Sequence, residues 1–171
     1  YYSMIVPFTD YLGKGANNGK INTGLSSCGY DFTLDREFVI FDAKSEIDPK
    51  QKMDHKKLLT SNRYSLNPSE MILGQTAETF TMPDDVMGVV YTRSTYARSG
   101  IFLNVTPIEP GWRGQITLEI SNISHSPVWI YPGESIGQIV FMRIAERPEM
   151  TYADKGGKYQ NQYGVTGPIV K

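Results

Sequence analysis

Hydrophobic and polar positions in this chain alternate with a period of two far more often than with the 3.6 of a helix. The clearest run is 115–122, where Ile116, Leu118 and Ile120 alternate with Gln115, Thr117, Glu119 and Ser121. That pattern predicts a strand with one buried face. It places the Glu119 carboxylate in mid-strand, on the face that the preceding Thr106-Pro107 loop could cover. Further apolar or alternating runs predict strands at 30–34, 38–41, 64–66, 71–76, 86–91, 101–105, 128–131 and 136–143. Turn signals at Asn67-Pro68, Pro83-Asp84-Asp85, 124–127 and Pro132-Gly133 separate them. The charged segment 42–62 has no clean period and is expected to be a loop with at most a short helical turn. Many short strands at near-regular spacing, without a long helical period or an internal repeat, predict an all-β sandwich or barrel.

Length and composition narrow the class. At 171 residues the chain is expected to form a single domain, 1–171, with a core of its own. Its 17 basic and 18 acidic residues give a net charge of −1, so no field of one sign steers it to nucleic acid or to an anionic membrane. The lone Cys28 has no internal disulfide partner, which fits a reducing compartment and a cytoplasmic location. No apolar run approaches the ~20 residues that span a bilayer, and no signal peptide is visible. The chain starts at Tyr1 without a methionine, so residues before it are expected to be missing. Residues 1–23 form an N-terminal segment with an apolar patch, Met4 to Phe8, and a Gly/Asn/Lys loop at 13–20. From 152 to 171 the chain is polar and glycine-bearing. That end is either a frayed terminus or an arm that folds over a ligand, since its Lys, Gln and Tyr side chains can bond to phosphate or base.

Candidate chemistry concentrates between Arg93 and Asn122. Glu119 is either a paired surface charge or a positioned acid/base group. Arg93, Ser94 and Thr95 offer a bidentate cation with hydroxyl and backbone donors, which suits a triphosphate; the plainer reading is a polar strand-end loop. Arg98 either orients a carboxylate and stabilises charge or forms a surface ion pair worth under ~1 kcal/mol. Glu109-Pro110-Gly111-Trp112 is a turn by composition. Cys28 reads as packing, and Trp112 and Trp129 as core or interface.

Taken together, several motifs resemble the dCTP deaminases of the trimeric dUTPase superfamily. They are Pro83-Asp84-Asp85-Val86, Arg93-Ser94-Thr95-Tyr96-Ala97-Arg98, Glu109-Pro110-Gly111-Trp112 with Gly114, and Thr117-Leu118-Glu119. Tyr131-Pro132-Gly133, Ile136-Gly137-Gln138, Lys158-Tyr159-Gln160, Gln162 and Gly164 support them. The order and spacing cover nearly the whole chain from Gly24 onward. The resemblance implies a distorted β-barrel of the dUTPase-like β-clip type with a C-terminal arm or lid. It also implies a homotrimer with active sites built between subunits. It assigns catalysis to Glu119, Arg98 and Ser94. It assigns substrate binding to Arg93, Ser94, Thr95, Tyr96, Ala97, Arg98, Val105, Thr106, Pro107, Glu109, Thr117, Leu118, Glu119, Gln138, Tyr152, Lys158 and Gln162. In that family the glutamate matching Glu119 activates water, and the carboxylate matching Glu109 faces the deoxyribose.

The implied reaction is deamination of dCTP to dUTP and ammonia, feeding the dUMP/dTTP pathway. Many nucleobase deaminases use zinc held by H-x-E and P-C-x-x-C. Here His55 and His125 are isolated and a single cysteine is present, so side-chain acid/base catalysis without zinc is expected. Magnesium is expected on the triphosphate, with no ligands from the protein. A departure from many family members is Thr106-Pro107-Ile108-Glu109, a loop shorter by about two residues with Asp replaced by Glu. It bears on loop switching and on dTTP as an inhibitor. Two other readings stand beside the deaminase. One is a plain dUTPase, which an apolar residue at position 119 and a phenylalanine in the arm would have favoured, or a bifunctional enzyme giving dUMP and pyrophosphate, in which both activities use the same pocket and Glu109 positions a second water. The other is a binding module that keeps only the fold.

Overall fold

The computed structural model describes residues 3–10, 19–41 and 47–170. The expected 13–20 loop therefore falls mostly outside the described residues, as does the start of the 42–62 segment. Twelve strands and one helical turn follow in order: β1 (Ile5–Val6), β2 (Gly24–Ser26), β3 (Gly29–Thr33), β4 (Glu37–Phe41), β5 (His55–Leu59), β6 (Tyr64–Leu66), β7 (Met71–Thr81), β8 (Val86–Thr92), α1 (Ser94–Ala97), β9 (Ile101–Asn104), β10 (Arg113–Asn122), β11 (Val128–Ile130) and β12 (Ser135–Arg143). They pair into a six-stranded sheet in the order β5-β4-β7-β10-β9, with β1 added to β7. A four-stranded sheet runs β2-β3-β12-β8, and β11 and β6 form a two-stranded ribbon. All named pairs are antiparallel.

The alternation of β10 decides the architecture. Ile116, Leu118 and Ile120 are at most 1% exposed and point into the main core with Ile72, Phe38, Phe32 and Leu34. Each such side chain contributes roughly 1.5–3 kcal/mol of burial free energy. The opposite face of the same sheet is left for a different use. Antiparallel partners share a face, so Val39, Leu73, Glu119 and Asn104 form one continuous row across β4, β7, β10 and β9.

The short elements β1, β2 and α1 are not predicted by the sequence pattern, and further local outcomes differ from it. First, residues 55–59 form a strand, not a loop with a helical turn. His55, Lys56, Lys57 and Leu59 are exposed, so the strand exists because the free edge of β4 offers hydrogen-bond partners, from Glu37↔Leu59 to Phe41↔His55. Second, β7 continues past Thr76 to Thr81 through buried polar residues. Thr33 donates its N–H and hydroxyl to the Glu78 carboxylate, and Thr76 Oγ1 donates to the Glu78 carbonyl and accepts from Ile116 N–H. Those bonds meet the cost of burying the groups. Third, Cys28 does not pack: it is exposed at the β2–β3 turn. Of the two tryptophans expected in the core or at an interface, Trp112 is buried and Trp129 is 43% exposed in the single chain, with the Arg63 guanidinium 4.1 Å from its ring centre.

Candidate active site

The site face of the large sheet is covered by two segments. The chain leaving β9 passes over it at 105–109, and the C-terminal residues 151–168 return along the start of β10. Ile108 fixes the first segment. Its N–H and C=O pair with those of Gly88 at 2.8 and 2.9 Å, and its side chain is buried. Backbone and side-chain bonds fix the second. Gln115 N–H donates to Gln162 C=O at 3.0 Å, and Gln162 Nε2 returns a bond to Gln115 C=O at 2.8 Å. Gly164 N–H donates to Gln115 Oε1 at 3.0 Å. Gly114 permits this approach, since a Cβ there would lie 2.7 Å from the Gln162 carbonyl. Val165 then buries itself between Val39 and Leu73. The polar C-terminal end is thus a docked arm and not a frayed one.

Between these covers lies a cavity of about 360 Å³, within the roughly 300–1,000 Å³ of small-molecule sites. Glu119 and Thr117 form part of its floor. Val105, Thr106, Pro107 and Glu109 form one wall, and Tyr152 and Gln162 close it from the arm. Burial pushes the Glu119 carboxyl from 4.5 up to about 7, offset in part by its own backbone N–H. Among the described residues no lysine or arginine forms an ion pair with it. Near neutral pH this group exchanges a proton readily, as an acid/base catalyst must. At the other end of the cavity Trp112 Nε1 donates to Tyr159 C=O at 3.0 Å, and the Tyr152 hydroxyl accepts Tyr159 N–H at 3.0 Å. Glu109 contacts Lys155 of the arm at 3.4 Å, both partners being about half exposed.

The remaining candidates stand elsewhere in the chain. Leu118 is fully buried on the core face, so only its backbone is available to a ligand. Arg93 donates from Nη1 to Asp31 Oδ2 and to Asn22 C=O, and Gln138 Nε2 donates to Asp31 Oδ1 at 3.0 Å. One buried carboxylate thereby holds both side chains in register; the sequence pattern carries no signal for that role of Asp31. α1 presents Ser94, Thr95, Ala97 and Arg98 to the exterior, while Tyr96 is buried and anchors the turn. Lys158 is exposed, with its ammonium 3.1 Å from Ile169 C=O. None of Arg93, Ser94, Arg98, Gln138 or Lys158 lines the Glu119 cavity. Within one chain the candidates therefore form two groups: a carboxylate pocket, and a set outside it in which Ser94, Thr95, Arg98 and Lys158 are exposed while Arg93 and Gln138 are held by buried Asp31. The pocket is also lined by Phe41, Met53, Met71, Leu73, Thr166 and Pro168. Only Leu73 and Met71 could have been anticipated, and then only with the strand pairing known.

The fold is that of the dUTPase-like β proteins. A 2′-deoxycytidine 5′-triphosphate deaminase from Agrobacterium tumefaciens superposes with a TM-score of 0.57 at 20% identity, over 74% of this chain and 43% of that one. A mutant dUTPase from phage phi11 of S. aureus superposes with a TM-score of 0.51 at 14% identity, over 77% and 86%. Residues 16–144 match the model of the dCTP deaminase-like family, and the chain belongs to that family. Proteins named dCTP deaminase from Pelagibacter ubique and Campylobacter concisus are 45% and 43% identical to it, over 98% of this chain and 91% and 90% of theirs. One of the same name from Pseudomonas paraeruginosa is 41% identical over 98% and 91%.

Proposed function

We propose that this protein hydrolyses dCTP to dUTP and ammonia without zinc. The observation that carries the reading is Glu119: a desolvated carboxylate, near neutrality in its proton affinity, on the floor of a base-sized cavity in a chain of the dCTP deaminase-like family. Glu119 takes a proton from water as the water oxygen bonds to C4. The proton passes to the exocyclic nitrogen, the C4–N bond breaks, and ammonia leaves. Backbone groups at 105–107 read the polar edge of the base, and Glu109 faces the sugar. Tyr152 and Gln162 hold the nucleotide from the arm.

In this reading Ser94 and Arg98 of a second copy enter the pocket beside Glu119, while Arg93, Thr95, Gln138 and Lys158 receive the triphosphate. A homotrimer supplies three such shared sites. The exposed, outward position of α1 supports this, since it leaves those side chains free to face another subunit. Magnesium enters as part of the substrate, held by the phosphates. Among the described residues no three His, Cys, Asp or Glu gather as a metal-binding group, and the donor set fits no zinc site. The product feeds dUMP and dTTP formation, and a free nucleotide substrate places the reaction in the cytoplasm. We further propose that dTTP competes for the same pocket with no loop switch, because Ile108 pins the 105–109 loop to Gly88.

The test is product analysis: purified protein with magnesium and dCTP, following ammonia, dUTP, dUMP and pyrophosphate together. Ammonia with equal dUTP and no pyrophosphate is expected. Pyrophosphate from dUTP with no ammonia from dCTP would overturn the reading in favour of a dUTPase.

A pH dependence follows from Glu119. The ionised form is the base, so kcat/KM is expected to rise with pH through an inflection no higher than about 7. A cation beside a carboxylate favours its charged form, so Arg98→Ala should move that inflection upward. Rate profiles of both proteins from pH 5 to 9 check it; an inflection that stays in place would remove Arg98 from the vicinity of Glu119.

A further inference from the structure

Glu119 stands between two walls of different chemistry. Toward β9 lies the 105–107 loop, whose backbone carries hydrogen-bonding groups. Toward β7 lies its row partner Leu73, followed by Met71, Phe41 and Met53, all bordering the same cavity. Those four side chains provide no strong donor or acceptor. Cytosine has the same asymmetry about C4: N3 and O2 form a polar edge on one side, C5 and C6 an apolar edge on the other. In the deaminase reading, which sets the sugar against Glu109 near the start of β10, C4 is directed toward Glu119. Two orientations of the ring then remain. If N3 and O2 faced Leu73 and Met53 they would meet no donor or acceptor of this chain's wall, and a buried group left unpaired costs about 1–3 kcal/mol. The polar edge therefore faces 105–107, and C5 faces the apolar wall.

We infer that this wall receives a substituent on C5, so that the site takes 5-substituted deoxycytidine triphosphates, 5-methyl-dCTP in particular, as further substrates. The inference rests on the deaminase reading given above. Two of the wall residues are methionines, whose unbranched side chains adapt to added volume, and Met53 lies half-buried in the stretch that precedes β5. The chemistry at C4 is unchanged. Water oxygen bonds to C4, the C4–N bond breaks, ammonia leaves, and the ring gains a carbonyl and an N3 hydrogen. C5 takes no part, so the methyl group is retained and the product is the thymine nucleotide, dTTP.

The experiment compares kcat/KM for dCTP and 5-methyl-dCTP with the purified full chain and magnesium, reading ammonia. Values within about tenfold of each other are expected. Ammonia from dCTP with a 5-methyl-dCTP rate more than 100-fold lower would overturn the inference and leave the deaminase reading standing. Ammonia from neither would overturn both. Met53→Trp fills the wall and is expected to lower the ratio of 5-methyl-dCTP to dCTP activity at least tenfold. That ratio does not depend on how much of the variant folds. An unchanged ratio would show that C5 does not face Met53 and would overturn the assignment.

Discussion

Glu119→Gln is expected to reduce ammonia release from dCTP by roughly 10²–10⁴-fold, the span associated with a positioned general acid/base. The amide has nearly the same shape and cannot take the proton from water. The fold should persist, because Glu119 lies on the site face and the core face of β10 is untouched. The same substitution has an opposite signature in stability. Burial raises the folded-state affinity of Glu119 for its proton from 4.5 to about 7. Protonation therefore favours the folded state below that range, and the benefit is lost as pH rises through about 7. At pH 8 the wild type holds a carboxylate where desolvation disfavours one, and the glutamine does not. In an Arg98→Ala background, where no neighbouring cation offsets that desolvation, Glu119→Gln should accordingly melt no lower than its parent at pH 8, and lose its advantage at pH 5. Near-normal turnover by a folded Glu119→Gln protein would eliminate the proposed mechanism.

The second large effect concerns how the site is assembled. Arg98→Ala alone and Glu119→Gln alone should each be nearly inactive. Mixed after denaturation and refolded together in equal amounts, they should recover activity, because the proposed site takes Glu119 from one copy and Arg98 from another. Random assortment into a closed ring makes about a quarter of the sites wild type. Recovery near that fraction, with neither variant active when refolded by itself, is the expected result. No recovery from a properly assembled mixture would mean that both residues act within one chain, contrary to the placement of α1 outside the Glu119 cavity.

Much of the site was legible in the chain because it lies on two locally patterned stretches. The period-two run of β10 located Glu119 on the face away from the core, and the Thr106-Pro107 turn marked the cover above it. Gln162 and Tyr152 were legible as polar residues of an arm. Their docking was not, since it depends on the Gly114 approach and on Val165 reaching Val39 and Leu73, contacts far apart in sequence. Asp31 could not be recognised as the clamp for Arg93 and Gln138 from its neighbours. It lies 62 residues from one and 107 from the other.

What the sequence determined by itself was periodicity and residue chemistry: many short strands, one buried face on β10, a carboxylate on the other, and no zinc motif. These are local properties, and the backbone reads them within a few residues. The tertiary structure decided what the local pattern leaves open. It made 55–59 a strand because β4 had an open edge. It carried β7 through Thr76 and Glu78 because Thr33 and Ile116 paired with them. It raised the proton affinity of Glu119 by drawing a loop and an arm over it. Burial, strand pairing and desolvation arise only when distant segments meet, and each of these outcomes is a consequence of such a meeting.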